Sequence, residues 1–339
     1  MTSVIDPALE TGAEPARPRV LTGRLGRSEK IFSGGTFISG MVVLSLMGAV
    51  GLFLAIESSA ALGKVGFSFI TTSVWEPDRG VFGIRAVLTF TVIIALVAVA
   101  IAFPISMATA LFIAEVCPRR LKSWLVSLVD LMAAVPSVVY GLWGLYLMQG
   151  QVIGLSRWIN TWFGWIPLFA VDGANPNDPL SNATVYTASS FVAGVVVAMM
   201  VIPIQCVVMR EVFSQVPPSE REGAFALGAT RWGMIRVVSL PFGRGGIIGG
   251  TMLGLGRALG ETIAVFLIIS SRFDITFHTL ESGSNSVSAL IALRYADASE
   301  FGLSALFAAG LALFMVTLVV NFTASWFVAR SRSGASSDA

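Results

Sequence analysis

The segment from Pro217 to Pro241 reads PPSEREGAFALGATRWGMIRVVSLP and lies between two long apolar stretches of the sequence. It is charged, although charged residues make up only 12% of the chain. A chain that is mostly apolar has little reason to keep a structured, charged loop unless another molecule binds there. The segment therefore predicts a docking surface between two membrane-spanning helices.

The local residue pattern predicts two short helices in this segment. Ser219 and Glu222 have the spacing of a capping box, which satisfies backbone donors at a helix start. Gly228 suits the left-handed position that follows a helix end. A second helix is expected over about 230–238, and Pro241 is expected to block its continuation. The product is a helix–turn–helix knob at the membrane surface.

The composition places the chain in a membrane. It has 339 residues, of which 55% are hydrophobic, and a mean hydropathy of +0.80. Soluble domains have about 25% charged residues. The net charge of +2 suggests no nucleic-acid partner. The chain has two separated cysteines, Cys117 and Cys206, and a single histidine, His278. This set predicts neither a disulfide framework nor a metal site. The sequence also lacks the cluster of catalytic polar residues that a membrane enzyme would need.

Six apolar segments are long enough to cross a bilayer, which takes about 20 helical residues. They cover residues 35–56, 86–113, 123–148, 187–209, 245–270 and 303–328. A further segment, 151–170, contains three tryptophans and is interpreted as interfacial, because tryptophan favours the headgroup layer.

The distribution of basic residues predicts the orientation. Most of the 22 lysines and arginines fall in segments that are cytoplasmic if the N-terminus is inside. Both termini and the loop 210–244 are then expected in the cytoplasm. The predicted divisions are a cytoplasmic tail, a first transmembrane helix with its outer loop, a core and a second cytoplasmic tail, covering residues 1–34, 35–79, 80–330 and 331–339.

The fifth apolar segment carries glycines and two charges on one helical face. At about 100° per residue, Gly246, Gly250, Gly254, Arg257 and Glu261 lie close together around the helix. Glycines four residues apart allow another helix to approach closely. Charged residues within a membrane are expected to face protein or water. Arg257 and Glu261 are therefore either part of a substrate pathway or gate, or a buried ion pair that fixes the helix register.

Two other charged residues are weaker candidates for the same pathway. Asp130 lies in the third apolar segment and could act in gating or in pairing of helices. Arg85 lies at the outer start of the second segment. It could attract an anion, or its side chain could extend to the membrane interface.

The chain has no phosphate-binding loop of the kind that binds ATP. Gly63-Lys64 is followed by valine and lacks the required upstream glycine. The chain is therefore not expected to hydrolyse ATP by that route, which implies a separate ATPase.

The charged segment resembles the docking loop of ABC-importer permeases, E-A-A-x3-G-x9-I-x-L-P. Gly223 replaces the second position of the motif and Val238 replaces its isoleucine. The resemblance implies a surface that docks an ATPase, and it assigns this role to Glu222, Gly223, Ala224, Gly228, Leu240 and Pro241.

Two further segments are similar to phosphate ABC-importer permeases of the PstC type. They are GRALGETIAV at 256–265 and VPSVVYGLWG at 135–144. The resemblance covers roughly 80–330 and implies an all-α integral membrane protein with six transmembrane helices and the type I ABC importer permease architecture. It implies a non-catalytic permease subunit in a bacterial cell membrane. The implied partners are a homologous PstA-type permease, an ATPase dimer that binds ATP and magnesium, and an external phosphate-binding protein, so this chain itself needs no cofactor.

Two alternatives stay open at this stage. A secondary transporter could use Arg257 and Glu261 as an ion or proton relay, although it would leave the docking loop unexplained. Sulfate and molybdate permeases share the docking loop, so only the segments 135–144 and 256–265 favour phosphate.

Overall fold

The computed structural model of the protein describes residues 27–172 and 183–332. The chain divides into two compact units, one over residues 1–50 and one over 51–339. The described part of the first unit belongs to helix α1 (Arg27–Glu57), which begins within the predicted tail rather than at residue 35. Its side chains from 29 to 50 are exposed and largely apolar, as expected for a helix in lipid. The rest of the predicted N-terminal tail and most of the C-terminal tail lie outside the described residues.

Short elements follow α1 in the second unit. They are the helices α2 (Ser59–Val65) and α3 (Ser68–Thr71) and the antiparallel strands β1 (Trp75–Glu76) and β2 (Val81–Phe82). A 3₁₀ turn joins the strands. Phe82 is fully buried and contacts three aromatic rings edge to face, namely those of Phe69, Trp75 and Phe301. These rings fix the segment against the start of the last helix.

The second predicted span forms helix α4 (Arg85–Leu111), which continues through a π turn (Phe112–Val116). Helix α5 (Arg119–Ala134) follows and ends well before residue 148. The prediction of one span over 123–148 is therefore wrong. Pro136 lacks an N–H group and forces the preceding Val135 into an extended conformation, so the helix stops there.

A new helical run begins directly after Pro136. Helix α6 (Ser137–Trp143), a π turn (Gly144–Met148) and helix α7 (Gln149–Phe163) form one stretch that is long and apolar enough to cross a membrane. The predicted interfacial segment 151–170 is in large part the second half of this stretch. The tryptophans favoured the interfacial interpretation. In the structure, Trp158 and Trp162 belong to α7, which continues the helical stretch that begins at Ser137.

Helix α8 (Ser190–Ser214) is the most buried of the candidate spans and lies at the centre of the second unit. Its neighbours are α4, α5 and the later helix α11. Buried residues near its start and middle pack with α4, and those near its end, such as Phe213, pack with the end of α4 and with α5.

The remaining α-helices in the described part of the chain are the two short helices of the knob and four others. They are α9 (Pro218–Ala226), α10 (Arg231–Met234), α11 (Leu240–Gly260), α12 (Ile263–Ile268), α13 (Val287–Arg294) and α14 (Glu300–Arg332).

The predicted fifth span, 245–270, is broken near its middle. Helix α11 ends at Gly260 and Glu261 has an extended backbone. The Glu261 carboxylate accepts a hydrogen bond from the Ala264 N–H, 3.2 Å away, and so caps the first turn of α12. A carboxylate is favourable at a helix N-terminus, where backbone donors have no partner.

Five of the described helical stretches are long and apolar enough to span a membrane. They are Glu29–Glu57, Arg85–Val116, Ser137–Phe163, Ser190–Ser214 and Glu300–Trp326. The sixth span stays a prediction, because α11 is rich in glycine and falls outside this group. The cytoplasmic location of both termini also stays a prediction.

Candidate functional site

The knob over 217–241 begins with a proline-initiated helix. Helix α9 starts at Pro218, and no side chain in the described part of the chain caps its first turn. The predicted capping box of Ser219 and Glu222 is therefore wrong. Proline has the helical φ angle and needs no N–H at the first position. The helix consequently starts one residue earlier, and Ser219 lies inside its first turn.

The end of α9 has the predicted glycine cap. Gly228 has φ +84° and donates its N–H to the Phe225 carbonyl, 2.9 Å away. The Ala229 N–H donates to the Ala224 carbonyl at 3.0 Å. This pair of bonds is a Schellman motif, which satisfies carbonyls at the helix end.

The second part of the knob runs without interruption into α11. Thr230 caps α10 by accepting a hydrogen bond from the Gly233 N–H, and a π turn (Ile235–Ser239) joins α10 to α11. The prediction that Pro241 blocks continuation is wrong. The wider turn before it leaves Pro241 in the first turn of α11, where a missing N–H is tolerated.

Most of the docking residues assigned by resemblance lie at the surface. Glu222, Gly223, Gly228 and Pro241 are exposed, whereas Ala224 and Leu240 are half-buried.

The structure adds a group of exposed apolar side chains that the sequence reasoning missed. Leu227 is 91% exposed and Trp232 is 65% exposed, and Phe225 and Val237 are also exposed. Large apolar residues in a polar loop were the available signal. Large exposed apolar side chains on a polar loop are typical of a protein interface. We call these four residues the knob patch.

The knob is attached to the helices through a buried carboxylate that the sequence reasoning also missed. The Glu115 side chain is 3% exposed and lies in the π turn after α4. One of its oxygens lies 3.1 Å from Nη2 of Arg221 and accepts a hydrogen bond of 2.8 Å from the Ser239 hydroxyl. Arg221 Nη2 also donates to the Phe213 carbonyl at 2.7 Å. An acidic residue at the end of an apolar span was the only sequence signal.

The predicted pathway residues Arg257 and Glu261 are separated by the helix break. Within the described residues no ion pair joins them, because Glu261 lies beyond the end of α11 and the i, i+4 geometry is lost. Glu261 is buried, its carboxylate caps α12, and its carbonyl accepts a hydrogen bond from Ser288. Arg257 is exposed on the single chain.

The other two candidates lie elsewhere. Asp130 of α5 is half-exposed and its carboxylate is 3.6 Å from Nη1 of Arg210 on α8, so it pairs two helices. Arg85 is exposed at the start of α4. In the described part of the chain, no hydrogen bond or ion pair joins the four predicted pathway residues to one another.

The glycine face of α11 lies against α8. A Cβ atom at Gly246 would lie 2.6 Å from Cβ of Val212, and one at Gly254 would lie 2.7 Å from Cγ1 of Val201. Such distances are too short for real Cβ contacts, so both positions require glycine at this helix separation. Gly250 is less tight, with the nearest atom, Cγ of Met209, at 3.3 Å.

The connection between α7 and α8 and the connection between α12 and α13 are joined by a small ionic cluster. His278 Nδ1 lies 3.2 Å from Glu281 and 3.6 Å from Asp172. Arg272 donates a 2.7 Å hydrogen bond to the other Glu281 oxygen, and this bond raises the pKa of the guanidinium above its ordinary value. Asp172, His278 and Glu281 are close enough to ligate a metal ion, a grouping that the sequence did not predict. The contacts among these three residues and the Arg272–Glu281 ion pair already explain the cluster as a structural connection between two loops.

Comparison with known proteins gives a consistent result for most of the chain. Residues 106–333 match the family of binding-protein-dependent transport system inner membrane components. The phosphate transport system permease protein PstC of Haemophilus influenzae is 36% identical over 303 residues, which cover 86% of this chain and 90% of that protein. The PstC 2 protein of Mycobacterium tuberculosis is 33% identical over 302 residues, with coverage of 88% and 91%. The PstC protein of Mesorhizobium japonicum is 34% identical over 316 residues, with coverage of 92% and 94%.

Solved structures share the fold at lower identity. A bacterial ABC transporter involved in the import of the acidic polysaccharide alginate has a TM-score of 0.56 and 18% identity, and the match covers 90% of this chain and 99% of that one. An inward-facing MetNI methionine ABC transporter has a TM-score of 0.50 and 14% identity, with coverage of 73% and 95%.

Proposed function

Because the chain belongs to the binding-protein-dependent transport system inner membrane components, we propose that it is a permease subunit of an ATP-driven importer of inorganic phosphate. The family and the apolar helices make it a multi-pass protein of the cytoplasmic membrane. The proposed cargo rests on the PstC relatives, which are named as phosphate permeases.

The knob patch is the observation that carries the coupling role. Leu227 and Trp232 expose apolar surface on a capped helix pair that the charge distribution places in the cytoplasm. Exposed aromatic side chains on a rigid element commonly act as anchors in partner pockets. We assign the partner as one subunit of an ATPase dimer, which binds ATP and magnesium. This chain then contributes conduction and coupling but no hydrolysis.

One face of α11 supports the proposed pathway. Leu253, Arg257 and Gly260 follow one another at helical spacing and are exposed, beside the glycines that contact α8. We propose that a homologous permease of the PstA type packs against this exposed face of α11. The Arg257 guanidinium can donate two hydrogen bonds to two phosphate oxygens. Glu261, at the helix break nearby, adds a negative charge that limits how tightly an anion is held.

The described parts of the connections between α7 and α8 and between α12 and α13 provide the surface for cargo delivery. They are fixed by contacts, such as the hydrogen bond from the Thr279 N–H to the Leu168 carbonyl at 2.9 Å. An external phosphate-binding protein is the proposed partner on this side.

Uptake by the reconstituted complex tests the proposal. Vesicles that contain this chain, the second permease and the ATPase are supplied with the external binding protein and labelled phosphate, with unlabelled sulfate or molybdate as competitor. We expect uptake that requires ATP and resists both competitors. A complex without the ATPase is the control.

Each alternative has its own outcome. Uptake without ATP that follows an ion gradient would support a secondary transporter. ATP-dependent uptake of sulfate or molybdate in place of phosphate would keep the coupling role and overturn the cargo.

A further inference from the structure

Helix α9 has few apolar attachments to the rest of the chain. Every residue of α9 is at least partly exposed, and only Arg221 and Ala224 are shielded from solvent to a significant degree. These two residues are three positions apart and so share the inner face of the helix. Hydrophobic burial, which fixes the long helices, therefore contributes little to the position of α9.

The attachment that does exist is ionic and buried. The Arg221 guanidinium reaches Glu115 at 3.1 Å and the Phe213 carbonyl at 2.7 Å, so it touches the ends of α4 and α8. Ser239 donates to the same Glu115 oxygen at 2.8 Å, which adds the turn that leads into α11. A single carboxylate thus joins α9 to the ends of α4 and α8 and to the turn before α11.

A buried carboxylate is costly unless it is paired and hydrogen-bonded, and Glu115 meets both conditions. Such groups hold one geometry, since any movement that separates the partners leaves a charge without compensation. A docked ATPase that moves α9 must therefore move the ends of α4, α8 and α11 with it.

We propose that Glu115, Arg221 and Ser239 form a latch that transmits movement of the ATPase-docking helix to the membrane-spanning helices. This inference rests on the proposed function, in which α9 docks an ATPase. The three are positioning residues: they act through α9 and touch neither ATP nor cargo. Without the latch, α9 moves with the ATPase but the membrane-spanning helices do not move with it, so ATP is hydrolysed without transport.

Two measurements on the complete complex test the latch, and the second needs no cargo. The first is the amount of phosphate taken up per ATP hydrolysed. The second is hydrogen exchange of the backbone amides of α9 in the complex. The variants are Glu115→Gln, which keeps the size of the side chain and removes its charge, and Arg221→Ala. The control is Glu211→Gln, which neutralises an exposed carboxylate near the end of α8.

We expect both latch variants to lower uptake per ATP about tenfold while hydrolysis continues, because one partner of a buried pair is lost. Amide exchange in α9 should rise about tenfold, and exchange in the spans should stay as in the wild type. The double variant should be no worse than either single variant, since both remove the same interaction. The control should match the wild type in both measurements.

Unchanged exchange in α9 together with an unchanged ratio of uptake to hydrolysis would overturn the latch. A proportional loss of uptake and hydrolysis would do the same, because it indicates reduced assembly rather than lost transmission. Where Glu115→Gln does not assemble, Arg221→Lys keeps the charge on a side chain that is one bond shorter, and α9 exchange about threefold above the wild type is then expected. Failure of the wild type to take up phosphate overturns the cargo alone, since amide exchange still reports on the latch.

Discussion

Replacing Trp232 with alanine should weaken binding of the ATPase to the knob. Trp232 is 65% exposed, in α10, and belongs to the knob patch with Leu227. Its ring is available to a partner pocket without rearrangement of the chain. The side chain is held on a short helix whose N-terminus is capped by Thr230, so removing the ring should leave the backbone of the knob in place.

The expected size of the effect follows from the exposed area. A tryptophan presents at most about 250 Å², so 65% exposure leaves roughly 160 Å² for a partner to cover. At about 25 cal/mol per Å², complete burial would contribute about 4 kcal/mol. Truncation of an interface tryptophan commonly costs about 2 to 4 kcal/mol. Since about 1.4 kcal/mol is tenfold, the affinity should fall by about 30-fold to several hundredfold.

Binding of the purified ATPase to the permease pair in detergent provides the assay. The matched control is Trp162→Ala, because Trp162 has the same exposed fraction of 65% but lies in α7, away from the knob. Trp162→Ala should bind the ATPase as the wild type does. Equal affinity for Trp232→Ala and the wild type would refute the assignment of this patch as the docking surface. A similar loss in both variants would point to general destabilisation instead.

Three further predictions concern glycines and the pathway arginine. Gly246→Ala places a methyl group 2.6 Å from Cβ of Val212 and should lower the free energy of unfolding by roughly 1–3 kcal/mol. Its melting temperature should be below that of Gly249→Ala, whose new methyl meets no described atom within 4 Å. Equal melting temperatures would contradict this prediction. Gly228→Ala puts a side chain at φ +84° and should speed amide exchange in α9, because the left-handed conformation costs a non-glycine residue roughly 1–2 kcal/mol. Gly223→Ala, in open space on the same helix, should slow that exchange, since alanine favours a helix over glycine by roughly 0.5–1 kcal/mol, and changes of the same sign in both variants would argue against the cap. Arg257→Gln should lower phosphate uptake about tenfold or more, with a normal yield of the complex. Uptake by Arg257→Lys should lie between that of the glutamine variant and that of the wild type, since lysine keeps the charge but lacks the two-pronged donor. Wild-type uptake by the glutamine variant would show that Arg257 is a packing residue only.

Local sequence signals predicted the parts of the fold that depend on neighbouring residues. The cap at Gly228 is confirmed, because a left-handed residue after a helix is a local requirement for glycine. The capping box failed because two local signals competed at the same helix start, and the adjacent proline pair won. The span 123–148 failed because hydropathy does not report a helix break, although Pro136 was visible within it. Glu261 was expected to face Arg257, and the end of α11 at Gly260 prevents it.

The sequence alone determined that this chain is a multi-span membrane protein with a structured loop between two apolar segments. Apolar length, basic-residue placement and the spacing of the docking loop are all properties of contiguous residues, so they can be read without a structure. Only the tertiary structure decided what holds the loop in place. Glu115 and Ser239 are 124 residues apart, and nothing in the sequence near either one specifies the other. Their contact exists because α4 and α11 pack against α8 and against each other, which brings the end of α4 beside the turn before α11. Burial there makes a paired carboxylate the stable arrangement.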